Sequence, residues 1–238
     1  MSDPRREELA AGLAEVEARV EAACRAAGRS RSEVTLIAVT KTYPSSDVRL
    51  LAGLGVADMG ENRDQEAAAK AADCADLDLT WHFIGQLQTN KARSVASYAH
   101  LVHSVDRPRL AEALSREAVR AGREVGCLIQ VALGPAEAGE IGARGGARPD
   151  EVPALADVIA SSPGLRLRGV MAVAPRGEDP DAAFARLWAV SQSLRKEHPA
   201  AEVISAGMSG DLAQAVANGA THLRIGTALL GRRTPFVR

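Results

Sequence analysis

The sequence lacks what would commit it to a membrane, a polyanion, a disulfide framework or a zinc site. Its 238 residues include only three cysteines, Cys24, Cys74 and Cys127, far apart and outside any CxxC or Cys/His cluster. That spacing argues against a disulfide scaffold and against structural zinc. Charge of one sign is also missing: 29 Lys and Arg face 30 Asp and Glu, a net charge of -1, so no field gathers nucleic acid or an anionic membrane. No apolar run exceeds strand length, far short of a membrane span. The start, Met1-Ser2-Asp3-Pro4-Arg5-Arg6-Glu7-Glu8, is charged rather than the apolar core of a signal peptide. A cytoplasmic protein with a small-molecule partner, no nucleic acid and no membrane is expected. No internal repeat or composition shift marks a domain boundary, and 46% hydrophobic content suits one large core or two small ones.

What the chain does have is regular alternation. Leu9, Leu13, Val16 and Val20 recur at helical spacing between Pro4 and about Ala27, with Gly28 as the cap. The β-branched and apolar stretch Val34 to Thr42 then predicts a buried strand. Seven further strands are expected at Val56–Gly60, Leu79–Gly85, His100–Val105, Val125–Leu133, Leu165–Val173, Glu202–Ala206 and Thr221–Ile225. Helical patterns separate them: after Ser45, from Glu61 to Cys74, around Asn90–Ala96, through Leu110 and Leu114, from Pro149 to Ile159, from Asp179 to His198 and around Leu212–Val216. The glycine-rich loop Gly134–Arg148 is the one obvious flexible insertion.

Eight short strands, apolar on both faces and alternating with helices, predict a parallel sheet closed as a (β/α)8 TIM barrel. An open doubly wound sheet would carry a nucleotide fingerprint after its first strand, where this chain has Lys41-Thr42-Tyr43-Pro44. The expectation is an α/β fold, one barrel domain over residues 1–238, with 1–33 as an extra N-terminal helix and lead-in.

In such a barrel the functional face lies at the carboxyl ends of the strands, and phosphate is gripped after strands seven and eight. There the chain carries Gly207-Met208-Ser209-Gly210-Asp211 and Gly226-Thr227-Ala228, small residues that let backbone amides converge on an anion. Arg224, two residues before Gly226, is a fixed charge in the pocket if strand eight turns it inward and a surface residue if not. Lys41 ends strand one, which neighbours strand eight in a closed barrel. Partly desolvated at a pocket floor it would be nucleophilic and able to form a Schiff base; the plainer reading is that it points into water. A lysine beside a phosphate cup suits an aldehyde that carries a phosphate, either pyridoxal 5'-phosphate or a sugar phosphate held by a lysine-dependent aldolase.

The ordered segments Ala38-Val39-Thr40-Lys41-Thr42, Gly60-Glu61-Asn62, Trp81-His82-Phe83-Ile84-Gly85, His103-Ser104-Val105-Asp106, Gly169-Val170-Met171, Gly207-Met208-Ser209-Gly210-Asp211 and Leu223-Arg224-Ile225-Gly226-Thr227 resemble the pyridoxal phosphate homeostasis family (YggS/PROSC type), related to the alanine racemase barrel. The resemblance spans nearly the whole chain. It implies pyridoxal 5'-phosphate on Lys41, with Ser209, Gly210, Gly226 and Thr227 at its phosphate, Arg224 at the pyridine nitrogen, and Asn62 and Met208 lining the ring. His82 either reaches the pocket or packs against Trp81 or a backbone carbonyl. It further implies a carrier or buffer of the cofactor in vitamin B6 homeostasis without established catalysis, with pyridoxal phosphate-dependent apoenzymes as partners and a racemase-like enzyme as the alternative. An arginine cannot keep the ring nitrogen protonated, which disfavours carbanion chemistry. Racemases use a tyrosine base and a second domain; here the tyrosines are Tyr43 and Tyr98, and packing after strand one is the expected role of Tyr43. The loop after strand five, Gly134 to Glu140, departs from the family. Nothing in the pattern demands self-association, so a monomer is expected.

Overall fold

The protein, a computed structural model, is described over residues 3–134 and 145–231. The expected loop at Gly134–Arg148 therefore lies largely outside the described residues. Eight parallel strands close into a barrel in chain order: β1 (Thr35–Val39), β2 (Asp58–Glu61), β3 (Thr80–Phe83), β4 (Leu101–Val105), β5 (Val125–Gln130), β6 (Leu165–Met171), β7 (Val203–Ser205) and β8 (His222–Ile225). Closure pairs β1 with β8 from Thr35 opposite His222 to Ala38 opposite Ile225. The helices are α1 (Pro4–Ala26), α2 (Ser45–Ala52), α3 (Asp64–Asp73), α4 (Ala92–Tyr98), α5 (Pro108–Arg120), α6 (Val152–Ser161), α7 (Pro180–Glu197), α8 (Leu212–Ala217) and α9 (Thr227–Leu230). Several strands end earlier than the apolar pattern suggests. β1 stops at Val39 because Tyr43 N–H bonds back to the Thr40 carbonyl and closes a turn, while β2 runs through Glu61 and delays α3 to Asp64.

Strand alternation sorts side chains between two compartments. Leu36, Ala38, Met59, Trp81, Phe83, Cys127, Ile129, Leu223 and Ile225 join the core between sheet and helices, and Leu101, Leu128, Met171 and Val203 form a separate buried group inside the barrel. The interior is not uniformly apolar, however. His82, His103, Ser205 and Arg224 are all buried, which corrects the expectation of strands apolar on both faces. One glycine is indispensable to closure: Gly169 has φ +147, and a Cβ there would lie 1.9 Å from the Val203 carbonyl oxygen, where β6 is irregularly paired with β5.

α1 is more than a lead-in. Capped by the Asp3 side chain, it buries Leu9, Val16 and Val20 and packs across α8 and α9. Gly12 makes the approach possible, since a Cβ there would lie 2.5 Å from the Leu229 carbonyl oxygen. Gly12→Val should therefore push α1 off α9 and cost about 1–3 kcal/mol as overpacking, read as a lower denaturation midpoint. A variant as stable as the parent would show that this close approach is not needed.

Candidate functional site

The carboxyl ends of β8, β1 and β2 stand side by side and present Arg224, Lys41 and Asn62. Arg224 points into the barrel, as the first alternative required. Only 5% exposed, it donates from Nη1 to Ser205 Oγ at 2.6 Å and from Nη2 to the Ala172 carbonyl at 2.8 Å. Burial lowers its pKa to about 10, opposed by the Asp211 carboxylate, so it stays cationic at neutral pH. Gly226, two residues on, has its nearest neighbours in Val39, 3.5 Å from where a Cβ would stand. The loop after β8 thus lies against the end of β1.

Lys41 follows Thr40 in the turn after β1, and it is exposed. Of the two alternatives for Lys41 the exposed one holds: the turn lifts it beyond the strand, where alternation no longer sets its direction. The turn itself is tightly held. Thr40 Oγ1 donates to Glu61 Oε1 at 2.6 Å, Lys70 Nζ donates to the same oxygen and to the Thr40 carbonyl at 2.6 Å each, and Thr42 N–H donates to Glu66 Oε2 at 2.9 Å. Thr42 adopts φ 67, rare outside glycine. Glu61 is fully buried, and burial raises its pKa against the pull of Lys70 and Thr40. Glu61 entered the sequence reading only within Gly60-Glu61-Asn62, and its pairing with Lys70 was missed because a charged pair nine residues apart on a strand and a helix has no spacing signature.

Asn62 is half-buried just past β2, and its Oδ1 is buried with no hydrogen-bond partner among the described residues. Gly85 allows this loop to pass the next one, since a Cβ there would meet the Asn62 carbonyl oxygen at 2.2 Å. A cavity of about 350 Å³ opens beside it, lined by Asn62, Glu66, Phe83, Gln86, Gln88 and Lys91 among others.

In the loop after β7, Met208 is 39% exposed, Ser209 half-buried and Gly210 exposed, and no atom stands within 4 Å of a Cβ built on Gly210. Met208 N–H is taken by Asp211 Oδ1 at 2.6 Å, while Arg19 of α1 donates to the Ser209 carbonyl at 2.5 Å. Gly207, at φ +91, has no room for a side chain. Thr227 opens α9 and is exposed. The first N–H groups of α8 and α9 have no preceding turn to bond, so both loops offer donors on the face where Gly210 leaves space.

His82 does not reach this mouth. It is buried inside the barrel between Asp58 and His103, which corrects both earlier placements. Tyr43 donates its hydroxyl to the Gly231 carbonyl at 2.8 Å beneath the Arg5 guanidinium, the packing role expected of it. Tyr98 belongs to the outer core on α4. Among the described residues no helix is long and apolar enough to cross a membrane, and no group of three His, Cys, Asp or Glu could hold a metal ion.

Residues 13–234 match the family model described as "Alanine racemase, N-terminal domain". A curated relative from Pseudomonas aeruginosa, named pyridoxal phosphate homeostasis protein, is 42% identical over 228 residues covering 94% of this chain and 96% of its own. The chain belongs to the pyridoxal phosphate homeostasis protein family. Among solved structures, PipY of Synechococcus elongatus with PLP bound aligns at a TM-score of 0.79 and 34% identity, covering 94% of this chain and all of that one. Alanine racemase from Corynebacterium glutamicum aligns at 0.66 and 16% identity, covering 98% of this chain but 64% of its own, a likeness of fold alone. Family membership and the barrel agree with the resemblance read from the motifs.

The pair Glu61 and Lys70 gives this site a direct test. Lys70→Met leaves a buried carboxylate unpaired and should cost about 3–5 kcal/mol, measured by chemical denaturation at neutral pH. Glu61→Gln in the same chain should return most of it. A Lys70→Met protein of unchanged stability would contradict the pairing.

Proposed function

We propose that the protein binds pyridoxal 5'-phosphate through a Schiff base on Lys41 and carries or buffers it as part of intracellular vitamin B6 homeostasis. The observation that carries the reading is Arg224: a buried, inward, cationic side chain on the strand that closes against the lysine's own. The residues present fit the group. Ser209, Gly210, Gly226 and Thr227 offer backbone and hydroxyl donors for a phosphate on adjacent loops, with Gly210 leaving open space above them. Asn62 supplies a buried oxygen without a partner among the described residues, and Met208 an exposed thioether beside the mouth. The relative that was solved with PLP bound shares the fold at 34% identity.

The cofactor supplies an aldehyde for the lysine and an electron-withdrawing ring. The chain's own residues set how that ring behaves. Arg224 donates and cannot accept, so it holds a ring nitrogen that carries a lone pair, and the ring is the weaker electron sink for it. Tyr43 has its hydroxyl bound to Gly231 and Tyr98 sits in the outer core, so neither is placed as a base at the mouth. An exposed Lys41 suits capture and release of the aldehyde by exchange with other amines, as delivery to pyridoxal phosphate-dependent apoenzymes requires. The reading is therefore a cytoplasmic, monomeric carrier without turnover of its own, and the alternative is a racemase-like enzyme on the same lysine.

Protein reconstituted with pyridoxal 5'-phosphate should show a visible absorption band that borohydride bleaches and that Lys41→Ala abolishes. Incubated with single amino-acid enantiomers, it should exchange no α-hydrogen for deuterium beyond free cofactor. A protein that cannot be reconstituted would overturn the binding reading, and sustained exchange would overturn the carrier reading in favour of the enzyme.

A further inference from the structure

Four side chains inside the barrel lead from its amino-terminal mouth to Arg224. Asp58 opens β2, and its carboxylate, 26% exposed, meets His82 Nε2 at 2.8 Å. His82 Nδ1 meets His103 Nε2 at 2.9 Å, the rings edge to face with centroids 5.1 Å apart. His103 Nδ1 meets Ser205 Oγ at 2.9 Å, and Ser205 Oγ accepts from Arg224 at 2.6 Å.

The two ends fix the polarity of everything between them. A carboxylate only accepts, so His82 carries its hydrogen on Nε2, facing Asp58. With His82 neutral its Nδ1 is then a lone pair, and His103 Nε2 must donate to it. His103 is fully buried and held neutral by burial and by the nearby Arg224 charge, so its Nδ1 is a lone pair too. Ser205 must give that lone pair its only hydrogen, which leaves the hydroxyl oxygen free to accept from Arg224. Every hydrogen points from the guanidinium toward the carboxylate, and a cation and an anion terminate the chain in the sense that stabilises it.

We propose that Asp58, His82, His103 and Ser205 are positioning residues for Arg224: a hydrogen-bonded chain of fixed polarity that crosses the barrel and holds the guanidinium at the cofactor's ring position. The proposal rests on the binding reading above for its second half, whereas the polarity of the chain holds with or without a cofactor. The other titratable or charged groups that face the chain are His222 on β8, whose ring centroid is 6.2 Å from His82 and which burial keeps neutral, Arg168 on β6, and Asp211 ahead of α8. None of these is hydrogen-bonded to the two histidines of the chain. Asp58 and Arg224 therefore set the direction of the chain together.

Ser205→Ala cuts the chain at one link and leaves both ends in place, because it removes the hydroxyl that donates to His103 and accepts from Arg224. The full chain, labelled with 15N at histidine and arginine and free of cofactor, should show His82 and His103 with hydrogen on Nε2 and bare Nδ1. In Ser205→Ala the bare Nδ1 of His103 should lose its donor and shift its 15N resonance, and guanidinium hydrogen exchange at Arg224 should quicken at least several-fold. The same variant loaded with pyridoxal 5'-phosphate should show a displaced absorption band and about fivefold weaker binding, roughly the effect of one lost hydrogen bond. A parent protein with hydrogen on Nδ1 of either ring, or a His103 resonance and Arg224 exchange unmoved by Ser205→Ala, overturns the chain, and a cut chain with parental band and affinity overturns its positioning role. Should Ser205→Ala not fold, the parent tautomers still decide: hydrogen on Nδ1 of either ring overturns the proposal. A parent protein that takes up no cofactor would defeat the binding reading alone, since the tautomers are read in its absence.

Discussion

Closure of β1 on β8 is the constraint on which the rest depends. Pairing Ile37 with Arg224 places a cation inside the barrel next to the strand that delivers Lys41, two elements that lie at opposite ends of the chain. Gly226 then settles against Val39, and α1 braces the same corner from outside through Gly12, Arg19 and Arg5, the last reaching both Asp47 and the Leu230 carbonyl. A loss of register between these two strands would invert Arg224 to the helical side, because one residue of slip exchanges the faces of a strand. The helices after the strands, two of them barely longer than a turn, add donors but would present them to nothing without that closure.

Two buried polar groups serve this corner in different ways. Glu61, Lys70 and Thr40 hold the backbone from which Lys41 departs, so the lysine can be exposed while its attachment is fixed. The chain from Asp58 to Ser205 holds Arg224 from within, so the guanidinium keeps its direction without a carboxylate hydrogen-bonded to it. Buried charge of this kind is costly unless each member is paired, and here nearly every atom finds a partner; Glu61 Oε2 is an exception. Stability and site geometry are consequently drawn from the same contacts.

Much of the fold was legible because period and length carry it. Eight short apolar segments between helical patterns gave the closed barrel, and Gly207, Gly210 and Gly226 fell at the loops where the barrel concentrates anion donors. Strand ends were misjudged where a turn hydrogen bond, rather than loss of apolar character, stops the strand, as at Thr40. The inside of the barrel was misread for a more basic reason: His82 and His103 are separated by 21 residues, and only register shows that they meet. Arg224 lay open to two directions until alternation against Leu223 and Ile225 in the outer core settled it. Lys41 was left between a desolvated pocket floor and open water, and it stands in an exposed turn because the strand ends two residues before it.

The central claim is that Lys41 is the residue that holds the cofactor. It is tested most directly by reducing the reconstituted protein with borohydride, digesting it and locating the added pyridoxyl phosphate mass by peptide sequencing. The account predicts the label on Lys41 and, in a Lys41→Ala protein, no stoichiometric label elsewhere. Label distributed over surface lysines, or concentrated on another one such as Lys91, would contradict it.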